Sequence, residues 1–161
     1  MTNISLTPPT SIEPEQLRAI MRPLNRTAAR VFSSLIEGLA AGDAKRIDNA
    51  SGAFMAVSID YLVGGPKGPS LYAVAHRYEL NGDLVPDPDV EFYVVDDPQC
   101  PGARAIYPTA IDHGALGYYR HVHLDGSLQP VRVASKGQAA LARFCDEWMS
   151  NIAAQQRLVL S

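Results

Sequence analysis

Two histidines one residue apart, His121 and His123, and a run of carboxylates at Glu79, Asp83, Asp87, Asp89 and Glu91 are the side chains best suited to chemistry in this sequence. Residues i and i+2 of a strand project to one face, so two imidazoles there would supply two of the three protein ligands that a catalytic Zn²⁺ needs. Asp125, His113 or His76 would have to supply the third. A metal-assisted hydrolase built on this His/carboxylate cluster is therefore the alternative function. Set against it, histidines on the wet face of a sheet need no ligand at all. The carboxylates suggest a Ca²⁺ or Mg²⁺ loop, but their spacing is not that of an EF-hand, and Pro86 and Pro88 stiffen the chain between them. Turn chemistry accounts for the same residues: Asn81-Gly82 supplies positive φ and the Asp side chains close local backbone donors. Asn81, Gly82, Asp83, Asp87 and Asp89 are thus read as a turn that doubles as a recognition loop.

Nucleophile templates fail in turn. Cys100 lies in a Pro-flanked loop and Cys145 in a helical pattern, without CxxC or Cys/His spacing, so neither a disulfide nor a thiol site is expected. There is no GxSxG elbow, phosphate loop, HExxH helix or dinucleotide fingerprint, and Gly64-Gly65-Pro66-Lys67-Gly68 reads as a hairpin loop. No catalytic residue, metal or cofactor is assigned, and the reading leans away from an enzyme.

The elements that must position these residues follow from periodicity. Residues 1–13, rich in Pro, Ser and Thr, read as a flexible arm, and 14–161 as a single domain. Ile20, Leu24, Ala28, Val31, Leu35 and Leu39 recur at helical spacing, and Pro23 divides the stretch into a short helix over 14–21 and a longer one to about Ala41, closed by Gly42. The period then changes to two, predicting strands over 53–63, 70–80, 90–95, 103–108 and 117–124, with 81–89 a long turn segment and 128–133 a short edge strand. From Ser135, a final helix runs to about Leu158, anchored by Phe144 and Trp148. Helices segregated to the ends of a meander of about five antiparallel strands predict an α+β fold with the helices on one sheet face.

Side-chain alternation then proposes a surface. With Val90, Phe92 and Val94 toward the helices, Glu91 and Tyr93 face outward. With Val122 and Leu124 inward, Tyr119, His121 and His123 face outward. On the second strand the small Ala73 and Ala75 suit helix packing, which puts Tyr72, Val74, His76 and Tyr78 outside. His76, Tyr78, Glu91, Tyr93, Tyr119, His121 and His123 would form a Tyr/His/Glu binding surface of the kind protein partners use.

Composition limits the partners. The chain has 161 residues, 47% hydrophobic and 19% charged, with 14 basic and 17 acidic side chains for a net charge of −3. This is a globular composition of one-domain size, with no general attraction to phosphate backbones or anionic membranes. The first residues show no basic leader or apolar stretch, and no window is long enough for a membrane helix, so a cytoplasmic location is expected.

The stretch HRYELNGDLVPDPDVEFYV (76–94) resembles a family of uncharacterised bacterial domains of plasmids, integrative elements and phages. Its members carry a histidine-tyrosine, E-x-N-G-D-L and a D-P pair before a strand. The likeness extends through Tyr107-Pro108, Gly117-Tyr118-Tyr119, Pro130 and FCDEWMSNIAAQ (144–155), with Arg77 replacing an aromatic and Gln155-Gln156 replacing Gln-Gly. It implies a mobile-element context and carries no activity. Residues and resemblance together lead to a non-enzymatic accessory protein that binds a macromolecular partner, such as an anti-CRISPR or anti-restriction inhibitor of host defence. The expected partner is a protein, direct nucleic-acid binding is disfavoured, and a homodimer is left open.

Overall fold

The computed structural model describes residues 12–50 and 52–160, and the arm expected over 1–13 lies outside them except for its last two residues. Two N-terminal helices, α1 (Pro14–Ile20) and α2 (Arg26–Ile36), precede eight strands: β1 (Ala44–Ile47), β2 (Val57–Gly64), β3 (Ser70–Leu80), β4 (Asp83–Asp96), β5 (Arg104–Asp112), β6 (Tyr118–Arg120), β7 (Val122–Leu124) and β8 (Pro130–Val133). Helix α3 (Ser135–Gln155) closes the domain. Strands β1 to β6 form one antiparallel sheet in chain order, and β7 and β8 pair separately. The fold is α+β, as expected, with six strands in the main sheet where about five were expected.

Local chemistry explains most boundaries. Pro14 opens α1, and Asn25 caps α2 by accepting the Ala28 N–H at 2.8 Å. Helix α2 stops at Ile36, short of Ala41, because the chain turns at Gly38 (φ 79°) and Gly42 (φ 88°) and returns as β1 beside β2. Asn81 and Gly82 both have positive φ (51° and 86°), so Leu80 pairs directly with Asp83 across a two-residue turn. Residues 83–89, expected as part of a long turn, are therefore the first half of β4. Pro86 is tolerated there because β4 runs past the last pair with β5, Asp89 with Asp112, and has a free edge.

Helices α2 and α3 cover one face of the sheet. Phe32 of α2 meets Tyr72 edge-on at 5.7 Å and Phe92 at 4.9 Å, and Tyr61 lies 4.3 Å from Tyr72. The alternation proposed for β3 is thereby reversed: Tyr72, Val74 and His76 are buried under the helices, and Ala73 and Ala75 lie on the other face. Bulky rings fill the space beneath the helices better than alanine does, so small side chains were the wrong guide. A second cluster, on the far face, packs Leu17 of α1, Met21 just after it and Val122 of β7 against Tyr93, Val95 and Tyr107.

Two buried glutamines fasten α3. Gln138 accepts the Arg22 N–H at 2.7 Å and donates to the carbonyls of Arg22 (2.9 Å) and Pro108 (3.1 Å). Gln156 accepts the Asn49 N–H at 2.7 Å and donates to the Met55 carbonyl at 3.0 Å. Between them Cys145, Trp148, Met149 and Ile152 are buried, and burial raises the Cys145 thiol pKa well above its ordinary value. Phe144 differs from expectation: it is 41% exposed, stacked over Trp148 at 6.1 Å. Trp148→Ala should therefore cost about 3–5 kcal/mol and Phe144→Ala no more than about 1 kcal/mol. Equilibrium urea denaturation checks both, and equal losses would contradict this placement.

Candidate functional site

The face of the sheet opposite α2 and α3 is covered at one end and open at the other. Cross-strand register lays Ala44, Asp60, Ala73, Glu91, Ala110 and Arg120 in one row. A neighbouring row runs Ser58, Ala75, Asp89, Asp112 and Tyr118. Directly opposed residues of adjacent strands share a face, so each row is one line of side chains. Alanines at the centre leave a trough of about 250 Å³, floored by Ala73 and Ala110, walled by Asp89, Glu91, Asp112 and Arg120, and flanked by Leu62 and Tyr118.

Its charges are fixed in place. Arg120 grips Glu91 with both Nη atoms, at 2.9 and 3.1 Å, and its Nε donates to the Tyr118 hydroxyl at 3.0 Å. Thr109, bulged out of the β4–β5 pairing, donates its hydroxyl to the same carboxylate at 2.8 Å. The hydrogen bond to Glu91, then the Glu91 charge and Tyr118, raise the Arg120 pKa against the opposing effect of burial. Arg77 pairs with Asp89 at 3.1 Å, and Asp112 accepts the Gly114 N–H at 2.8 Å. Burial raises the Asp89 pKa; nearby Asp112 and Asp60 push the same way and Arg77 opposes them. With Asp60 of the Glu91 row, four carboxylates thus share this face with two guanidiniums. The trough can receive a surface of complementary shape that brings cations and apolar contacts.

The residues selected from sequence are dispersed by the fold. Glu91 and Asp89 lie in the trough. His76 is on the opposite face, edge-on to Trp148 at 5.5 Å, and among the described residues neither His76 Nε2 nor Trp148 Nε1 has a hydrogen-bond partner. Tyr93 is buried in the second cluster, its pKa pushed up to about 12, first by burial and then by Asp125 and Tyr107. Tyr119 pairs with Ile111 on the helix side, and it is Tyr118 that reaches the trough. The parity counted from Val122 fails because the expected strand over 117–124 breaks at His121 into β6 and β7. Tyr78, Asn81, Gly82, Asp83 and Asp87 lie on the hairpin beyond the trough.

His121 and His123 share no continuous strand. The His121 ring abuts Gly137, where a Cβ would come within 2.4 Å of Nδ1, and His123 Nε2 accepts from Arg132 at 3.0 Å. Asp125 is spent on the N–H groups of Ser127 and Gln129, and His113 faces Tyr119 at 6.2 Å. Among the described residues no three His, Cys, Asp or Glu side chains are grouped to hold a metal ion. The trough residues that sequence reasoning missed are Asp60, Asp112, Arg120, Tyr118 and Leu62. For Asp60 and Leu62 the signal was the alternation in SIDYL, which turns both away from the buried Ile59 and Tyr61.

Among the described residues no helix is long and apolar enough to cross a membrane. Residues 27–158 match the family described as a domain of unknown function, DUF6908, and the chain belongs to that family. No curated protein and no solved structure matches it.

Burial lowers the pKa of both His76 and His121, against a smaller opposing pull from Asp87 at His76. The unfolded chain therefore takes up these protons first, near pH 6.5. Stability is full above that value and falls as pH drops from it toward the lower folded pKa values. Urea midpoints measured across this range should decline on the acid side, and His76→Phe, which keeps a ring against Trp148, should flatten part of that decline. An unaltered slope in the variant would contradict the burial of a neutral His76.

Proposed function

We propose that this member of a family of unknown function is a non-enzymatic accessory protein of a bacterial mobile element that binds a macromolecular partner through the open sheet face. The observation that carries the reading is the trough itself: a concave surface with preset ion pairs, two unequal sets of charges and amphipathic edges, on a sheet whose other face is spent on the core. Side chains already locked by Arg120–Glu91 and Arg77–Asp89 lose little entropy on association, which favours recognition by a rigid scaffold. The carboxylate excess suits a basic partner surface. An inhibitor of a host defence protein, of the anti-CRISPR or anti-restriction kind, is the specific form proposed, since such targets present cationic nucleic-acid channels that an acidic protein can occupy.

The test is retention of the partner captured by tagged wild-type protein in its native cell. Asp60→Lys and Tyr118→Ala, both at partly or fully exposed positions, should weaken the complex by about 2 kcal/mol or more, roughly thirtyfold in Kd, with Tm unchanged. Undiminished retention in both variants would overturn the reading.

A further inference from the structure

The β3–β4 hairpin extends past both of its neighbours. Pairing of β3 with β2 ends at His76 and pairing of β4 with β5 ends at Asp89, so residues 77–88 stand beyond the rest of the sheet and 78–84 are all exposed. A two-stranded ribbon gains little from its own ladder and is normally polar where it meets water. This one carries Leu84 at 71% exposure and Leu80 at 53%, with Leu116 of the adjacent 3₁₀ turn at 77%. That turn, Gly114–Leu116, sits against the ribbon where Gly114 approaches Val85 and Pro86.

Register distributes these side chains with regularity. Leu80 is opposite Asp83 on one face, and Glu79 is opposite Leu84 on the other. Each face therefore pairs one leucine with one carboxylate. Residues 78–88 contain no Lys or Arg, and Arg77 at the base is held by Asp89, so nothing on the ribbon neutralises Glu79, Asp83 and Asp87. An anionic ribbon whose tip exposes one leucine and one carboxylate on each face fits between two walls better than against a plane. It repels phosphate backbones and anionic lipid, and its complement is apolar with cations at the border.

We propose that the β3–β4 hairpin is a docking finger that inserts into an apolar groove of a protein partner whose walls carry lysine or arginine side chains. This surface is separate from the trough and goes beyond the reading above.

The test replaces Leu84 with p-benzoyl-phenylalanine in the full chain, irradiates the native cell, and maps the adduct by mass spectrometry; the same replacement at Val159, 94% exposed, is the control. The expected result is an adduct with a protein segment that is apolar and flanked by Lys or Arg, reduced at least tenfold when Glu79→Lys and Asp83→Lys are added without a change in Tm. An adduct with a second copy of this chain, with nucleic acid or lipid, or no more than the Val159 yield would overturn the proposal, as would persistence of the adduct after charge reversal. A protein that binds through the trough alone would still capture its partner while giving no adduct at position 84, so failure of this inference is distinguishable from failure of the wider one.

Discussion

The outer edge of β5 is a row of carbonyls that three helices and a second ribbon close over, and each buried acceptor must find a donor there. Water cannot serve once Leu24, Pro108 and Thr109 are covered. The Ile106 carbonyl takes the Leu24 N–H at 2.8 Å, the Pro108 carbonyl takes Gln138 Nε2, and the Thr109 carbonyl takes the His121 N–H at 2.8 Å. Only beyond that point does β6 continue the ladder, from Ala110 to Asp112. Closing one edge by three unrelated donors forces the link between α1 and α2 against β5, brings the first turns of α3 over Pro108, and ends β6 at Arg120 so that His121 can turn inward. The packing of His121 on Gly137 follows from the same closure, since the exit of β6 is tied to the residue that leads from β8 into α3: the His121 carbonyl accepts the Ala134 N–H at 2.7 Å.

That closure also decides which part of the far face stays open. Residue α1 to β7 contacts bury Tyr93 and Tyr107 at one end of the sheet, where Arg18 pairs with Asp97 beside them. At the other end nothing among the described residues crosses β2, β3 and β4, and the alanines leave room for the ion pairs of Arg77 and Arg120. Asp89 and Asp112 are direct cross-strand partners of like charge, a pairing that disfavours the isolated fold. Arg77 pairs with Asp89 alone, and the Asp89 pKa is raised first by burial and to a lesser degree by Asp112, with Arg77 opposing both. The electrostatics of the trough are thus set by backbone register and not by flexible surface side chains.

Legibility from sequence tracked the length of each pattern. The apolar stripes of α2 and α3 and the alternation in VSIDYL and VEFYVV extend over enough residues for tertiary packing to agree with them. AKRI (44–47) does not: four residues with two cations carry no readable period, and only pairing with β2 makes them a strand. Within the site, Glu91 was placed correctly because its neighbours Val90 and Phe92 are unambiguous core residues. Tyr93 obeys the same parity, yet α1 covers it, and no local pattern announces that a helix from the far N-terminal side will cross the opposite face. Tyr119 and Tyr118 exchanged roles because parity counted from Val122 cannot pass a strand break. His76 was misplaced by an argument from size, which treated Ala73 and Ala75 as helix contacts when their smallness instead makes the trough.

Strand β4 joins these environments in fourteen consecutive residues. Asp83 to Pro88 form half of the projecting hairpin, Asp89 and Glu91 wall the trough, Val90, Phe92 and Val94 enter the core beneath α2 and α3, and Tyr93 and Val95 seal the second cluster. Period-two alternation would normally give such a strand one wet face and one dry one. Here the wet face turns dry at Tyr93, the position at which α1 and β7 arrive. A one-residue slip of β4 would therefore bury Asp89 and Glu91 under the helices while expelling Phe92, so the core and the charged face enforce the same register. The carboxylates that distinguish the open face are held there by the residues that make its reverse side insoluble in water, and neither set can be altered in register without displacing the other.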